Sequence, residues 1–250
     1  MTIIRPVWTN VVSALRSRVL MTTTFSRESP SPRYVELQQL YYQMHVNGDA
    51  AMGVPPEKMF DGATLAPHAY RIKKLIDRYP TESILDYGSG KGRQYQPGTV
   101  KLSNGQTYDS LPAYWGIRSL RCYDPGYAPF AELPRERFDA VICTDVLEHC
   151  PEQDIPWILD EMFGFARTFV FATVCSSPAQ KVLPNGENAH CTIQPPTWWN
   201  KLLNESAQKS PSVRYHVLLT TLTDKADAKG RMLAEVTHLS NDRDNPPRLV

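Results

Sequence analysis

The chain has 250 residues, a net charge of +1, 21% charged residues and 42% hydrophobic ones. That length buries one α/β core with decorations and is short for two. The near-neutral charge excludes a bulk basic field for nucleic acid, and no apolar run reaches the ~18 residues of a membrane span. The five cysteines are an odd number with no C-x-x-C pair. They argue for reduced thiols in a cytosol-like compartment and against a disulfide framework or zinc ribbon.

Residues 1–33 read as a basic, flexible N-terminal extension. Arg5, Arg16, Arg18 and Arg27 precede the first acid, Glu28, and Val7, Val11, Val12, Leu15 and Val19 share one helical face. The pattern fits a mitochondrial-type transit segment, a disordered tail, or a true start at Met21. Ser29-Pro30-Ser31-Pro32 then breaks any helix. Between Tyr34 and Asn47, Leu37, Leu40, Tyr41 and Met44 recur at helical spacing. Residues 34–66 are expected to form a lid over a ligand cleft or to pack on the sheet edge. A second helix follows from Ala69, Ile72, Leu75, Ile76 and Tyr79, and Pro80 ends it. His68, near its start, is a substrate-side candidate.

Ile84 and Leu85 lead as a buried strand into Asp86-Tyr87-Gly88-Ser89-Gly90-Lys91-Gly92. A glycine-rich turn after a strand allows close ligand approach, and its N–H groups can face an anionic or polar group. A Walker A loop needs Ser or Thr after its Lys, and Gly92 follows Lys91. A dinucleotide fingerprint needs G-x-G-x-x-G, and the spacing here is G-x-G-x-G. A tight structural turn is the bland alternative.

No regular helix is expected after Gly92. Pro97-Gly98, Asn104-Gly105 and Pro112 mark a broken helix and an insertion over 93–118. Its Tyr95, Tyr108, Tyr114 and Trp115 either line the pocket or belong to a surface loop. Leu120–Asp124 reads as the next strand, with a carboxylate at its tip suited to a ribose diol. Pro125-Gly126 turns the chain, and no third strand is visible before Arg137. Ala140–Cys143 is a short apolar strand closed by Asp145. Asp154 is a candidate cap for a helix carrying Ile155, Ile158, Leu159, Met162 and Ala166. Thr168–Val174 is a buried strand. Ser176–Pro196 is irregular and contains His190. A helix opens at Pro195-Pro196, two strands cover Val213–Thr220 and Met232–Leu239, and 241–250 is read as a loose tail.

Asp86-x-Gly88-x-Gly90-x-Gly92 resembles motif I of class I S-adenosylmethionine-dependent methyltransferases. Phe138-Asp139, the strand after it, and Asp145-Val146-Leu147-Glu148-His149 resemble a further segment of the same superfamily, in its proper order. The resemblance spans about 67–239. It implies an α/β fold with a Rossmann-like, doubly wound, mostly parallel sheet of the seven-strand type and a C-terminal antiparallel hairpin. Residues 34–240 would then be one methyltransferase domain. It further implies S-adenosylmethionine held by Asp86, Gly88, Ser89, Gly90, Gly92, Asp124, Pro125 and Asp145, although Asp145 is also read as an N-cap. The implied enzyme moves a methyl group to an O or N of a small polar acceptor such as a sugar or metabolite. His190, His149 and Glu148 are the candidate bases; Glu148 and His149 are alternatively hydrogen-bonded within their turn.

Two other readings stand beside it. Asp145, Glu148, His149 and His190 resemble the acid-x-x-Glu-His set plus distant His of metal-assisted small-RNA 2′-O-methyltransferases, though no RNA-binding patch accompanies them. A catalytically inactive methyltransferase-fold scaffold is the third. DNA amino-methyltransferases are disfavoured by Thr144-Asp145-Val146-Leu147. The expectation is therefore an enzyme without a metal, with no membrane or nucleic-acid partner, in the cytoplasm or alternatively the mitochondrion.

Overall fold

Both faces of the expected strands carry apolar side chains, and both faces are covered. The computed structural model describes residues 24–50, 52–98, 100–101, 105–227, 230, 232–242 and 249. Six strands form the main sheet: β1 (Ser83–Tyr87), β4 (Ser119–Tyr123), β5 (Phe138–Thr144), β6 (Ala166–Cys175), β7 (Arg214–Ala226) and β8 (Met232–Ser240). Their order is β4-β1-β5-β6-β7-β8. All neighbours pair in parallel except β8, which closes an antiparallel hairpin with β7 at one edge. A short ribbon, β2 (Val100–Lys101) with β3 (Thr107–Tyr108), stands apart.

Side-chain alternation sends Leu85, Tyr87, Val141, Cys143, Val170 and Ala172 to one face. There α4 (Ile155–Phe165) and α5 (Pro196–Lys209) cover them with Ile158, Met162, Trp199 and Leu203. Ile84, Ala140, Ile142, Phe169 and Phe171 point the other way, onto Ile72 and Leu75 of α2 (Ala69–Arg78) and Trp115 of α3 (Leu111–Trp115). Each fully buried side chain of this kind contributes ~1.5–3 kcal/mol. The architecture is Rossmann-like, with helices on both sheet faces. Among the described residues no helix is long and apolar enough to cross a membrane.

The strand order places the ligand crevice. From β1 the sheet grows towards β4 on one side and β5 on the other. The connections diverge there, opening a crevice at the strand C-termini. α1 (Pro32–Asn47) and the segment 58–64 lie over that crevice. Ser31 starts α1: its Oγ accepts from Tyr34 N at 3.0 Å, with Pro32 in the first turn.

Several expectations are corrected. The main sheet has six strands among the described residues, not the seven that the resemblance implies; 126–137, where the sequence shows no strand, contributes only a 3-10 turn at Ala128–Phe130. Asp154 holds the N-cap position of α4, where its carbonyl accepts from Ile158 N at 3.2 Å, but its side chain does not cap the helix. It is fully buried and accepts from Ser31 N at 3.0 Å and Trp157 Nε1 at 2.9 Å. Tyr108, Tyr114 and Trp115 do not line the cleft but pack in the second core with α2. Of the tail expected to be loose, Asp242 is buried against Tyr79 Oη at 2.6 Å and Arg78, and Leu249 is buried in the second core.

The 24–31 part of the N-terminal extension is also fastened down. Arg27 pairs with Glu161 and donates to Tyr123 Oη at 2.9 Å and Tyr87 Oη at 2.8 Å. Its guanidinium lies 4.8 Å from the Trp157 ring. The proposed helical face from Val7 to Val19, and the transit reading built on it, lie outside the described residues.

Candidate functional site

β1 ends by burying a carboxylate. Asp86 is 2% exposed; its Oδ2 accepts from Tyr95 Oη at 2.7 Å and Gln94 Nε2 at 3.2 Å. Among the described residues its Oδ1 has no partner, and neither does Gln94 Oε1. Both residues line a cavity of about 340 Å³ at the sheet edge, within the size range of small-molecule sites. Burial pushes the Asp86 carboxyl up to about 7, against the two hydrogen bonds.

The glycine loop after it commits its N–H groups to protein. Gly88 and Ser89 donate to Tyr123 O at 2.8 and 3.1 Å, Gly90 to Asp124 Oδ2 at 2.8 Å, Lys91 to Phe60 O at 2.7 Å and Gly92 to Ser89 O at 3.2 Å. The loop is therefore not an anion nest, and the expectation that its N–H groups face a ligand is corrected. All three glycines have positive φ: 82° at Gly88, 57° at Gly90 and 61° at Gly92. A Cβ on Gly90 would stand 2.2 Å from Phe60 O, and one on Gly88 2.4 Å from Val146 Cγ2. Gly92 faces Cys122 and Phe130 rather than the cavity.

Asp124, at the tip of β4, lines the cavity beside Pro125 and Gly126. Its Oδ1 accepts from Gly126 N at 2.9 Å, and each oxygen keeps acceptor capacity. Burial raises its carboxyl above the usual range. His45 of α1 covers it, with Nε2 3.8 Å from Asp124 Oδ1. Lys91 Nζ lies 3.1 Å from His45 Nδ1, so Nδ1 is the acceptor. Burial first, then Lys91, holds His45 down at about 4 and neutral. Asp145 closes β5 in a left-handed conformation, φ 54°. Its N–H donates to Thr173 O at 3.2 Å and its Oδ1 accepts from Thr173 Oγ1 at 2.9 Å. It lines the cavity and caps no helix.

His149 lies on the cavity wall. Its Nδ1 is 2.8 Å from Ala189 O, an acceptor only, so Nδ1 carries the proton. Tyr41 Oη also reaches Ala189 O, at 3.2 Å, and lies 2.8 Å from the same Nδ1. Burial holds the ring down at about 4. It is neutral, with its lone pair on Nε2. His190 packs edge-on against it, ring centroids 4.8 Å apart, and its Nδ1 lies 2.6 Å from Ser177 O. His190 stands behind His149, outside the cavity lining.

Glu148 is sealed away. It is 0% exposed, its Oε1 accepts from Cys175 N at 2.8 Å, and its main-chain carbonyl accepts from Cys191 N at 2.9 Å and Thr192 N at 3.0 Å. Burial, then Asp145, pushes its carboxyl up to about 8. It staples the 176–196 loop to the sheet and does not reach the cavity. Among the described residues no group of three His, Cys, Asp or Glu side chains is placed to hold a metal ion, so Asp145, Glu148, His149 and His190 do not fit one.

The structure thus brings Asp86, Gly88, Ser89, Gly90, Asp124, Pro125, Asp145 and His149 to one cavity and leaves Gly92, Glu148 and His190 outside it. Sequence reasoning missed Gln38, His45, Phe60, Gln94 and Lys181, which complete its walls. Gln38, Tyr41 and His45 fall at i, i+3 and i+7 of α1, a polar stripe beside the apolar one, and that spacing was the available signal. Phe60 and Lys181 sit in loops and Gln94 in a single 3-10 turn, and they carried none. No family model matches the chain, and no curated protein matches it.

Proposed function

We propose that the chain is an S-adenosylmethionine-dependent methyltransferase of the class I type, acting on an O or N of a small polar acceptor. The observation that carries this reading is the pair of unpartnered acceptors, Asp86 Oδ1 and Gln94 Oε1, on one cavity wall. Two buried acceptors without donors call for a ligand that brings N–H groups and positive charge. A loop whose N–H groups are all committed speaks against a phosphate ligand. The methionine ammonium of S-adenosylmethionine meets both demands, and Asp124 offers acceptors for its ribose hydroxyls.

When bound, this cofactor supplies an electrophilic sulfonium methyl and a neutral thioether leaving group. Asp86 and Gln94 orient it through the ammonium, and Asp124 through the diol. α1 and the 58–64 segment exclude water from above. His149 Nε2, held neutral by burial and aimed by Ala189 O, takes the proton that the acceptor O–H or N–H releases. Tyr41 and the Ala189 carbonyl keep that ring in one tautomer. His190 supports the ring from behind.

Calorimetric titration with S-adenosylmethionine and S-adenosylhomocysteine tests the reading. Micromolar binding is expected. Absence of binding at millimolar concentrations sinks the reading.

A further inference from the structure

The cavity contains a cation that the cofactor reading does not use. Lys181, in the loop between β6 and α5, borders the same cavity as His149. Its Nζ lies 4.6 Å from the centroid of the Phe60 ring and 3.9 Å from Met59 Sδ. Among the described residues it forms no ion pair. Asp49 and Asp61 act on it only from beyond contact distance, and burial lowers its pKa more than they raise it. A half-buried ammonium resting on an aromatic ring and a thioether retains some cation–π attraction but lacks the anion that would offset its desolvation.

Beyond burial, its charge acts on the candidate base, lowering the His149 pKa; both residues border one cavity, and its main chain is held to that base through one residue. Ala189 N donates to Lys181 O at 3.1 Å, while Ala189 O accepts from His149 Nδ1 at 2.8 Å. The lysine backbone and the His149 ring are therefore held on opposite sides of one peptide residue. A ligand that meets both presents an anionic group to one and a proton to the other. Lys58, exposed at the same rim, adds positive potential.

We propose that Lys181 recognises the methyl acceptor, and that this acceptor carries a carboxylate. The carboxylate pairs with Lys181 Nζ while the nucleophilic O–H or N–H meets His149 Nε2. A phosphate is disfavoured, because among the described residues the lining includes no arginine and the glycine-loop N–H groups are committed. The step rests on the methyltransferase reading for its electrophile. The S–CH3 bond breaks with its electron pair left on sulfur, an O–CH3 or N–CH3 bond forms, and the released proton goes to His149 Nε2.

The test uses the full chain, free and saturated with S-adenosylhomocysteine. Matched acid and neutral probes are titrated by calorimetry: glucuronate against glucose, galacturonate against galactose, and benzoate against benzamide, with glucose 6-phosphate as the phosphate arm. At least one carboxylate is expected to bind ten times tighter than its neutral partner. Lys181→Met abolishes that preference, Lys181→Arg retains it, and both leave S-adenosylhomocysteine affinity within twofold. No acid preference in any pair overturns the proposal. So does a preference confined to the phosphate, or a tenfold loss of S-adenosylhomocysteine affinity in Lys181→Met, which would assign the lysine to the cofactor's own carboxylate. Acid preference in the free chain without S-adenosylhomocysteine binding overturns the methyltransferase reading alone; the reverse pattern overturns only the acceptor.

Discussion

His149 gives its Nδ1 proton to the carbonyl of Ala189 at 2.8 Å, which leaves Nε2 as the basic nitrogen of a cavity-lining ring. A neutral imidazole of fixed tautomer keeps a free lone pair for a proton, though burial makes it a weak base. His149→Ala is expected to lower turnover about a hundredfold or more and to leave S-adenosylhomocysteine affinity within twofold. The folded-state pKa is depressed to about 4. The neutral ring is therefore the folded form, and its contribution to stability is present above the ordinary histidine value and lost as pH falls towards 4. The rate is expected to be flat in its His149 dependence from pH 6 to 8. An acid limb near pH 6.5 in kcat/KM, or undiminished turnover, removes His149 from the role.

Asp86 titrates the other way. Its carboxyl is raised to about 7 by burial, so the folded chain holds a proton that the unfolded chain has released. Its stability contribution is present at low pH and is lost as pH rises from the usual carboxylate range to 7. An ammonium ligand needs the ionised form. Cofactor affinity is expected to rise about tenfold per pH unit below 7 and to level off above it. Asp86→Asn flattens this dependence and weakens binding, while raising Tm at pH 8 by about 3 °C. A pH-independent affinity in the wild-type chain contradicts the assignment of Asp86 to the ammonium.

Gly90 separates conformational cost from a clash. Both Gly90 and Gly105 have positive φ, 57° and 90°, but only Gly90 lacks room for a Cβ, with Phe60 O at 2.2 Å. Gly105→Ala is expected to cost about 1 kcal/mol for the positive-φ backbone alone. Gly90→Ala costs about 2 kcal/mol or more and weakens cofactor binding, because the 58–64 segment must lift off the loop. Urea unfolding and calorimetry on the two variants compare them. Equal losses of stability, with equal affinities, would show that the contact with Phe60 does not matter.

Arg27 fastens the segment before α1 to the sheet by pairing with Glu161 and donating to Tyr87 and Tyr123. Arg27→Met leaves a largely buried carboxylate unpaired and is expected to cost about 3 kcal/mol. Arg27→Met with Glu161→Met recovers most of that loss, since the uncompensated charge is gone. A double-mutant cycle in guanidinium measures it. Additive losses would show that the pair is not coupled.

Much of the fold was legible because it is periodic. Leu85, Val141 and Val170 on one face, and Ile84, Ile142 and Phe171 on the other, are strand patterns that read without tertiary knowledge. Ile72, Leu75 and Ile76 mark the α2 stripe in the same way. Residues whose environment comes from distant chain were less legible. Asp154 read as a helix cap, but its partners are Ser31 and Trp157. Arg27 read as part of a basic tail, but Glu161, 134 positions away, claims it. Trp115 read as a possible pocket aromatic, but its Nε1 donates to Ala69 O and its ring fills the second core.

The sequence by itself determined the chain order of the six main-sheet strands and of α1, α2, α4 and α5, the glycine turn after β1 and the carboxylates at the tips of β1, β4 and β5, but not the β2–β3 ribbon or α3. These depend on side-chain period, on glycine's freedom at positive φ and on residues adjacent in the chain. Only the tertiary structure decided which groups face the cavity. The loop N–H groups are spent on Tyr123, Asp124 and Phe60, Glu148 on Cys175, and the His149 proton on Ala189. On the cavity wall Asp86 Oδ1 and Gln94 Oε1 are left without donors, and Lys181 without an ion pair, among the described residues. Hydrogen-bond commitments between residues far apart in sequence leave no periodic trace, and they select the groups that remain for a ligand.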